Sequence, residues 1–183
     1  MTCSLVVNSK SGNTRMVSGA IKRALQAAGV EFVHAAALSD DADADQVALE
    51  AQGACSADTV LVGFWCDKGA CTPSVAALLS ALHGKRVFLF GTCGFGASEE
   101  YFRQIIDRVT SNLANDAELA GWAMCQGKMG PAVKQRYEAM LEQDPDSARA
   151  KMLLDNWFAA KDHPTKEDLD NMAAAAKKAV LGE

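Results

Sequence analysis

Apolar runs of strand length alternate along this chain with segments whose apolar side chains recur at helical spacing. The run Cys3-Ser4-Leu5-Val6-Val7 predicts a first strand. After it, Met16, Val17, Ala20, Ile21, Ala24 and Leu25 fall on one face of a helix that ends near Gly29. Phe32-Val33-His34-Ala35 reads as a second strand, and residues 46–55 as a short helix. Thr59-Val60-Leu61-Val62-Gly63-Phe64 is continuously apolar, as a central parallel strand covered on both faces must be. A helix from Val75 to Leu82 follows Pro73, and Arg86-Val87-Phe88-Leu89-Phe90 is a fourth strand. From Glu99 to Leu113, Phe102, Ile105, Ile106 and Val109 again have helical spacing, and Gly121-Trp122-Ala123-Met124-Cys125 is a fifth strand. Strict βα alternation implies a parallel sheet with right-handed crossovers.

From Gly130 onward the pattern is helical. Val133, Tyr137, Met140 and Leu141 mark one helix, Ala148 to Phe158 a second, and "HPTKEDLDNMAAAAKKAVL" a third. In the third, Thr165 is the expected N-cap, with acids in the first turn and lysines in the last. The reading is one domain over residues 1–183, with a core at 1–129 and a helical tail at 130–183. A chain of 183 residues with 49% hydrophobic content is long enough to bury its own core.

The net charge of -5 disfavours nucleic-acid binding, since no basic face is evident to displace phosphate counterions. It suggests instead an acidic surface suited to a basic docking partner. The acidic stretch "SDDADADQ" reads most simply as solvated loop. No apolar run approaches 18 residues and the start lacks the pattern of a secretory leader, so a soluble, cytoplasmic protein with no membrane association is expected. Cys3, Cys55, Cys66, Cys71, Cys93 and Cys125 are scattered and form no CxxC pair, which points neither to a disulfide scaffold nor to a zinc site. His34, His83 and His163 are isolated, so no metal site is expected.

Three loops follow strands and therefore fall at the carboxyl edge of the sheet, where open α/β folds bind ligands. The first, "NSKSGNT", lacks GxxxxGK[ST] and GxGxxG, which disfavours a triphosphate or a dinucleotide. Ser9, Ser11, Asn13 and Thr14 cluster around Gly12 at a helix start, and together with free N–H groups they form a cage for one phosphate. A simple helix cap needs only one such residue. The second loop, "GFWCDKGACTP", sets Trp65 beside Gly69, and the third, "GTCGFGAS", sets Phe95 between Gly94 and Gly96. Aromatic faces and glycine N–H groups suit a flat conjugated ring. Core packing is the alternative for Trp65.

At these residues the chain resembles the flavodoxin family, over nearly all of residues 3–125. Ser9-Lys10-Ser11-Gly12-Asn13-Thr14 is similar to the family's phosphate loop for flavin mononucleotide (FMN), [ST]-x-[ST]-G-N-T, and "RVFLFGTCGFGASEEYF" to its fourth strand, second ring loop and following helix. The resemblance implies an α/β three-layer sandwich with a five-stranded parallel sheet of order 2-1-3-4-5, extended here by the C-terminal helical tail. It implies FMN held by Ser9, Lys10, Ser11, Gly12, Asn13 and Thr14, with Phe64, Trp65, Cys66, Gly69, Thr92, Cys93, Gly94, Phe95 and Gly96 around the ring. Where many flavodoxins carry an acidic residue and a stacking tyrosine in the second ring loop, this chain has Gly94, Phe95 and Gly96. Within the family, "GFWCDKG", "CQGKMGPAVKQRYEAM" and "HPTKEDL" are similar to flavodoxin-like proteins of anaerobic gut bacteria encoded beside bilin reductases.

The implied function is electron transfer to a partner protein, such as a bilin reductase, with the chain supplying binding and tuning only. Alternatives are an NAD(P)H-dependent FMN or quinone reductase and a flavin-free partner-binding subunit. Cys66 and Cys71, with Cys93 facing them, could form a redox pair, although small buried thiols are the simpler reading. Lys128, beside the second ring loop, could stabilise a reduced anionic ring, against the simpler reading of a surface lysine.

Overall fold

The computed structural model describes residues 1–182. Its elements run β1 (Thr2–Asn8), α1 (Asn13–Ala27), β2 (Glu31–Leu38), α2 (Ala44–Ala54), β3 (Thr59–Trp65), α3 (Pro73–Ser80), β4 (Arg86–Cys93), α4 (Glu99–Thr110) and β5 (Glu118–Gln126), then α5 (Pro131–Gln143), α6 (Ala148–Ala160) and α7 (Lys166–Leu181). The five strands form one sheet in the order β2-β1-β3-β4-β5, and every neighbouring pair is parallel. Both the α/β architecture and the 2-1-3-4-5 order agree with the sequence reading.

Alternate strand residues feed two apolar layers. Cys3, Leu5, Val7, Leu61, Phe88 and Phe90 pack on one face with Val17, Ile21 and Leu25 of α1 and Met172, Ala176 and Val180 of α7. Val6, Val60, Val62, Val87 and Leu89 pack on the other with α2, α3 and α4. Strand β2 extends past Ala35 because residues 35–38 pair with Leu5 to Asn8 of β1, a register that three alanines do not advertise in the sequence. Likewise β5 runs from Glu118 to Gln126 by pairing with the whole of β4.

The tail divides into two parts. Helix α7 completes the layer begun by α1, and Thr165 caps it as expected, in a reciprocal capping box with Asp168. Helices α5 and α6 pack against one another as a hairpin. A boundary at residue 129 therefore separates α7 from the layer it completes. The hairpin begins and ends at one place, since the Lys128 N–H donates to the His163 carbonyl at 2.7 Å.

Candidate functional site

Four loops meet at the carboxyl edge: β1–α1, β3–α3, β4–α4 and β5–α5. With α4 and α5 they enclose a cavity of about 810 Å³, within the range of small-molecule sites.

The β1–α1 loop turns at Gly12, whose φ of 91° is left-handed and therefore suits glycine. This turn aims the start of α1 at the cavity. The N–H groups of Lys10, Ser11, Gly12, Asn13 and Thr14 find no acceptor among the described residues. Five adjacent donors at a helix N-terminus are a ready anion site. The side chains share the work unevenly. Ser11 is exposed and lines the cavity, and the Lys10 Nζ lies 4.8 Å from the centroid of the Trp65 ring.

Asn13 is buried and structural: its Nδ2 donates to Ser11 Oγ at 3.1 Å and to the Lys128 carbonyl at 2.9 Å. Its Oδ1 is buried without a partner among the described residues. The Thr14 hydroxyl is fully buried and pairs with that of Thr92 at 2.9 Å. Ser9 accepts the Arg15 N–H and faces a separate groove along β2. The donors that the 10–14 loop presents are thus mainly backbone, with Ser11 as the exposed hydroxyl.

The walls of the cavity come from Trp65, Cys66 and Gly69 on one side and from Thr92, Cys93, Gly94 and Phe95 on the other. Trp65 is half-buried, and its indole N–H donates to Asp40 Oδ1 at 2.8 Å. Asp40 also accepts from the Asn8 amide at 2.8 Å. One member of the acidic stretch is therefore a bracket that fixes the tryptophan, and Asp43 of the same stretch caps α2. Phe95 meets Tyr101 edge to face, with ring centroids 5.9 Å apart.

Two expected ring neighbours lie elsewhere. Phe64 is fully buried in the core, where a Cβ on Gly91 would stand 2.8 Å from its Cζ; strand alternation turns it away from the cavity that Trp65 lines. Gly96 is drawn toward the tail, because its N–H donates to Asn156 Oδ1 at 2.9 Å. Asn156 also donates to the Gly94 carbonyl at 2.8 Å, so one α6 side chain clamps the second ring loop at two points.

The thiols are graded by their surroundings. The Cys93 Sγ donates to the Phe95 carbonyl at 3.1 Å, and its interaction with the neighbouring Cys66 thiol lowers Cys93 and, with burial, raises Cys66. Burial pushes Cys71 up to about 11 and Cys125 up to about 12. Tyr101 is raised to about 12, first by burial and then by the nearby thiols. Sequence reasoning missed Asp40, Tyr101, Arg108, Met129, Arg136 and Asn156. Only Asp40 had a local signal, as the first polar turn after an edge strand.

Comparison with known proteins agrees with the geometry. The family model described as "Flavodoxin domain" matches residues 4–177. A flavodoxin-like domain-containing protein BilS of Clostridium symbiosum (strain WAL-14163) is 34% identical over 176 residues, covering 92% of this chain and 90% of that protein. The protein of the same name from Clostridioides difficile (strain CD3) is 32% identical over 124 residues, 68% of this chain and 70% of that one. Among solved structures, oxidised Flavodoxin 2 from Bacillus cereus superposes with a TM-score of 0.53 at 17% identity, covering 99% of each chain. A short-chain flavodoxin associated with a non-canonical PDU bacterial microcompartment gives 0.53 at 14% identity, covering 100% of this chain and 98% of the other. The structural likeness concerns the fold, while the family match and the clostridial relatives show that this chain belongs to the flavodoxin domain family of flavin-binding redox proteins.

Proposed function

We propose that this chain binds FMN and serves in the cytoplasm as an electron-transfer protein that donates to a partner reductase. The observation that carries the reading is the cavity at the carboxyl edge, bounded at one end by five N–H groups with no acceptor among the described residues and along its sides by Trp65, Gly94 and Phe95. FMN would supply reversible uptake of electrons at its ring. The chain's own part is to bind and to tune. The 10–14 loop would hold the phosphate, Asp40 fixes the plane of Trp65 through its indole N–H, and Asn156 fixes the loop of Gly94 to Gly96. The resemblance of "GFWCDKG" and "HPTKEDL" to proteins encoded beside bilin reductases supports a bilin reductase as the acceptor.

Titrating apo-protein with FMN and with riboflavin tests the cofactor assignment. FMN should bind at least about tenfold tighter, because a charge-assisted hydrogen bond contributes roughly 1.5–3 kcal/mol. Equal affinities would remove the phosphate from the 10–14 loop. Anaerobic mixing of the yellow holo-protein with NADPH tests the role. A carrier is bleached only when a separate reductase is added, and direct bleaching by NADPH alone would replace the carrier with an NAD(P)H-dependent flavin reductase.

A further inference from the structure

The cavity mouth has a charge opposite to that of the molecule. Five cations line it: Lys10 from the β1–α1 loop, Lys68 from β3–α3, Arg108 from α4, Lys128 from β5–α5 and Arg136 from α5. Asp67 is the one carboxylate among them, although the chain as a whole has a net charge of -5. All five cations are exposed, and none makes an ion pair among the described residues. The mouth is also held in shape, since Arg108 Nη1 donates to the Gly69 carbonyl at 2.9 Å and Lys10 lies over Trp65.

A bound phosphate would occupy the α1 end of the cavity, which Lys10 flanks. Lys68, Arg108 and Arg136 belong to other elements and leave a cationic collar toward solvent. Like charge at an interface is repulsive and opposite charge steers encounter, so the collar selects partners by sign.

We propose that this collar is the docking face for a redox partner whose own electron-entry surface is rich in carboxylates. The proposal rests on the electron-transfer reading for the existence of a partner and adds that partner's chemistry. It reverses the expectation, drawn from net charge alone, that the partner is basic.

The experiment uses two electron-accepting probes, an acidic cytochrome b5 and a basic cytochrome c. Binding is measured by fluorescence anisotropy of each labelled cytochrome, with and without FMN, and electron transfer by stopped flow from the reduced holo-protein. Cytochrome b5 should bind the tighter at low salt, and its association rate should fall about tenfold between about 20 and 200 mM NaCl. The double substitution Lys68→Glu/Arg136→Glu should weaken cytochrome b5 by about tenfold and strengthen cytochrome c. Lys177→Glu/Lys178→Glu, at the far end of α7, should change neither. Tighter binding of cytochrome c by the native protein would overturn the proposal. So would a folded Lys68→Glu/Arg136→Glu variant that loses FMN affinity but keeps its cytochrome preference, because the collar would then serve the cofactor. A colourless protein that still binds cytochrome b5 in a salt-sensitive way would sink the FMN reading and leave the docking face standing.

Discussion

Asn13 joins two loops with a single amide. Its Nδ2 bonds both Ser11 of its own loop and the carbonyl of Lys128, 115 residues away. That bond depends on Gly127, where an added Cβ would stand 2.7 Å from the Asn13 Nδ2. Gly127→Ala should therefore push the amide off its partners and weaken FMN about tenfold in a fluorescence titration, with riboflavin affected less, since a lost hydrogen bond costs about 1–3 kcal/mol. The sequence motif identified Asn13 as part of the cage but not how it acts, because the partner carbonyl lies in a loop with no motif of its own. Cys93 makes a second case. Its Sγ donates to the Phe95 carbonyl at 3.1 Å, and the neighbouring Cys66 thiol lowers its pKa from the ordinary value of 9.0. Alkylation of Cys93, followed by peptide mass spectrometry, should rise with pH about a midpoint under 9.0, and Cys66→Ala should move that midpoint upward. An unmoved midpoint would mean that the Cys66 thiol is not the cause.

The α5–α6 hairpin holds the β4–α4 loop through one α6 side chain. Asn156 pairs with the Gly96 N–H and the Gly94 carbonyl, so Asn156→Ala leaves the Gly96 N–H without its protein partner and the Gly94 carbonyl with only the Gln126 amide at 3.4 Å. Hydrogen exchange at the Gly96 amide should accelerate by roughly ten- to a hundredfold, while amides in α1 keep native rates. Because the Lys128 N–H meets the His163 carbonyl, replacing residues 130–162 by a short glycine-serine link should leave a folded, soluble core with native far-UV strand signal. Removing α7 should not be tolerated, since Met172, Ala176 and Val180 cover α1 and the sheet. The sequence showed three tail helices and even the cap of the last. It could not show which of them closes the core, because all three carry apolar stripes, and only long-range packing distinguishes α7 from the pair before it.

At the scale of the molecule, the sheet was legible because the central strand β3 and the first residues of β4 are apolar runs and α1 and α4 have a clear period. The charge pattern was not. Lys10, Lys68, Arg108, Lys128 and Arg136 are scattered over most of the chain and converge only when four loops and two helices share one edge. A site assembled in this way should couple cofactor binding to global stability. FMN at about 100 times its dissociation constant should add about 2.7 kcal/mol to the unfolding free energy, read as a rise in the thermal midpoint, and no rise would place binding outside the folded site. The partnership of α1 with α7 carries a further consequence, for the chain as it is made. The apolar side of α1 is translated well before its cover, residues 166–181, and at roughly 5–20 residues per second roughly 7–30 seconds separate the two. For that interval the nascent polypeptide has its β1–α1 loop and an uncovered sheet face at once. A ribosome-bound chain stalled before α7 should thus be held by chaperones and remain colourless, with flavin loading deferred until the last helix has left the exit tunnel.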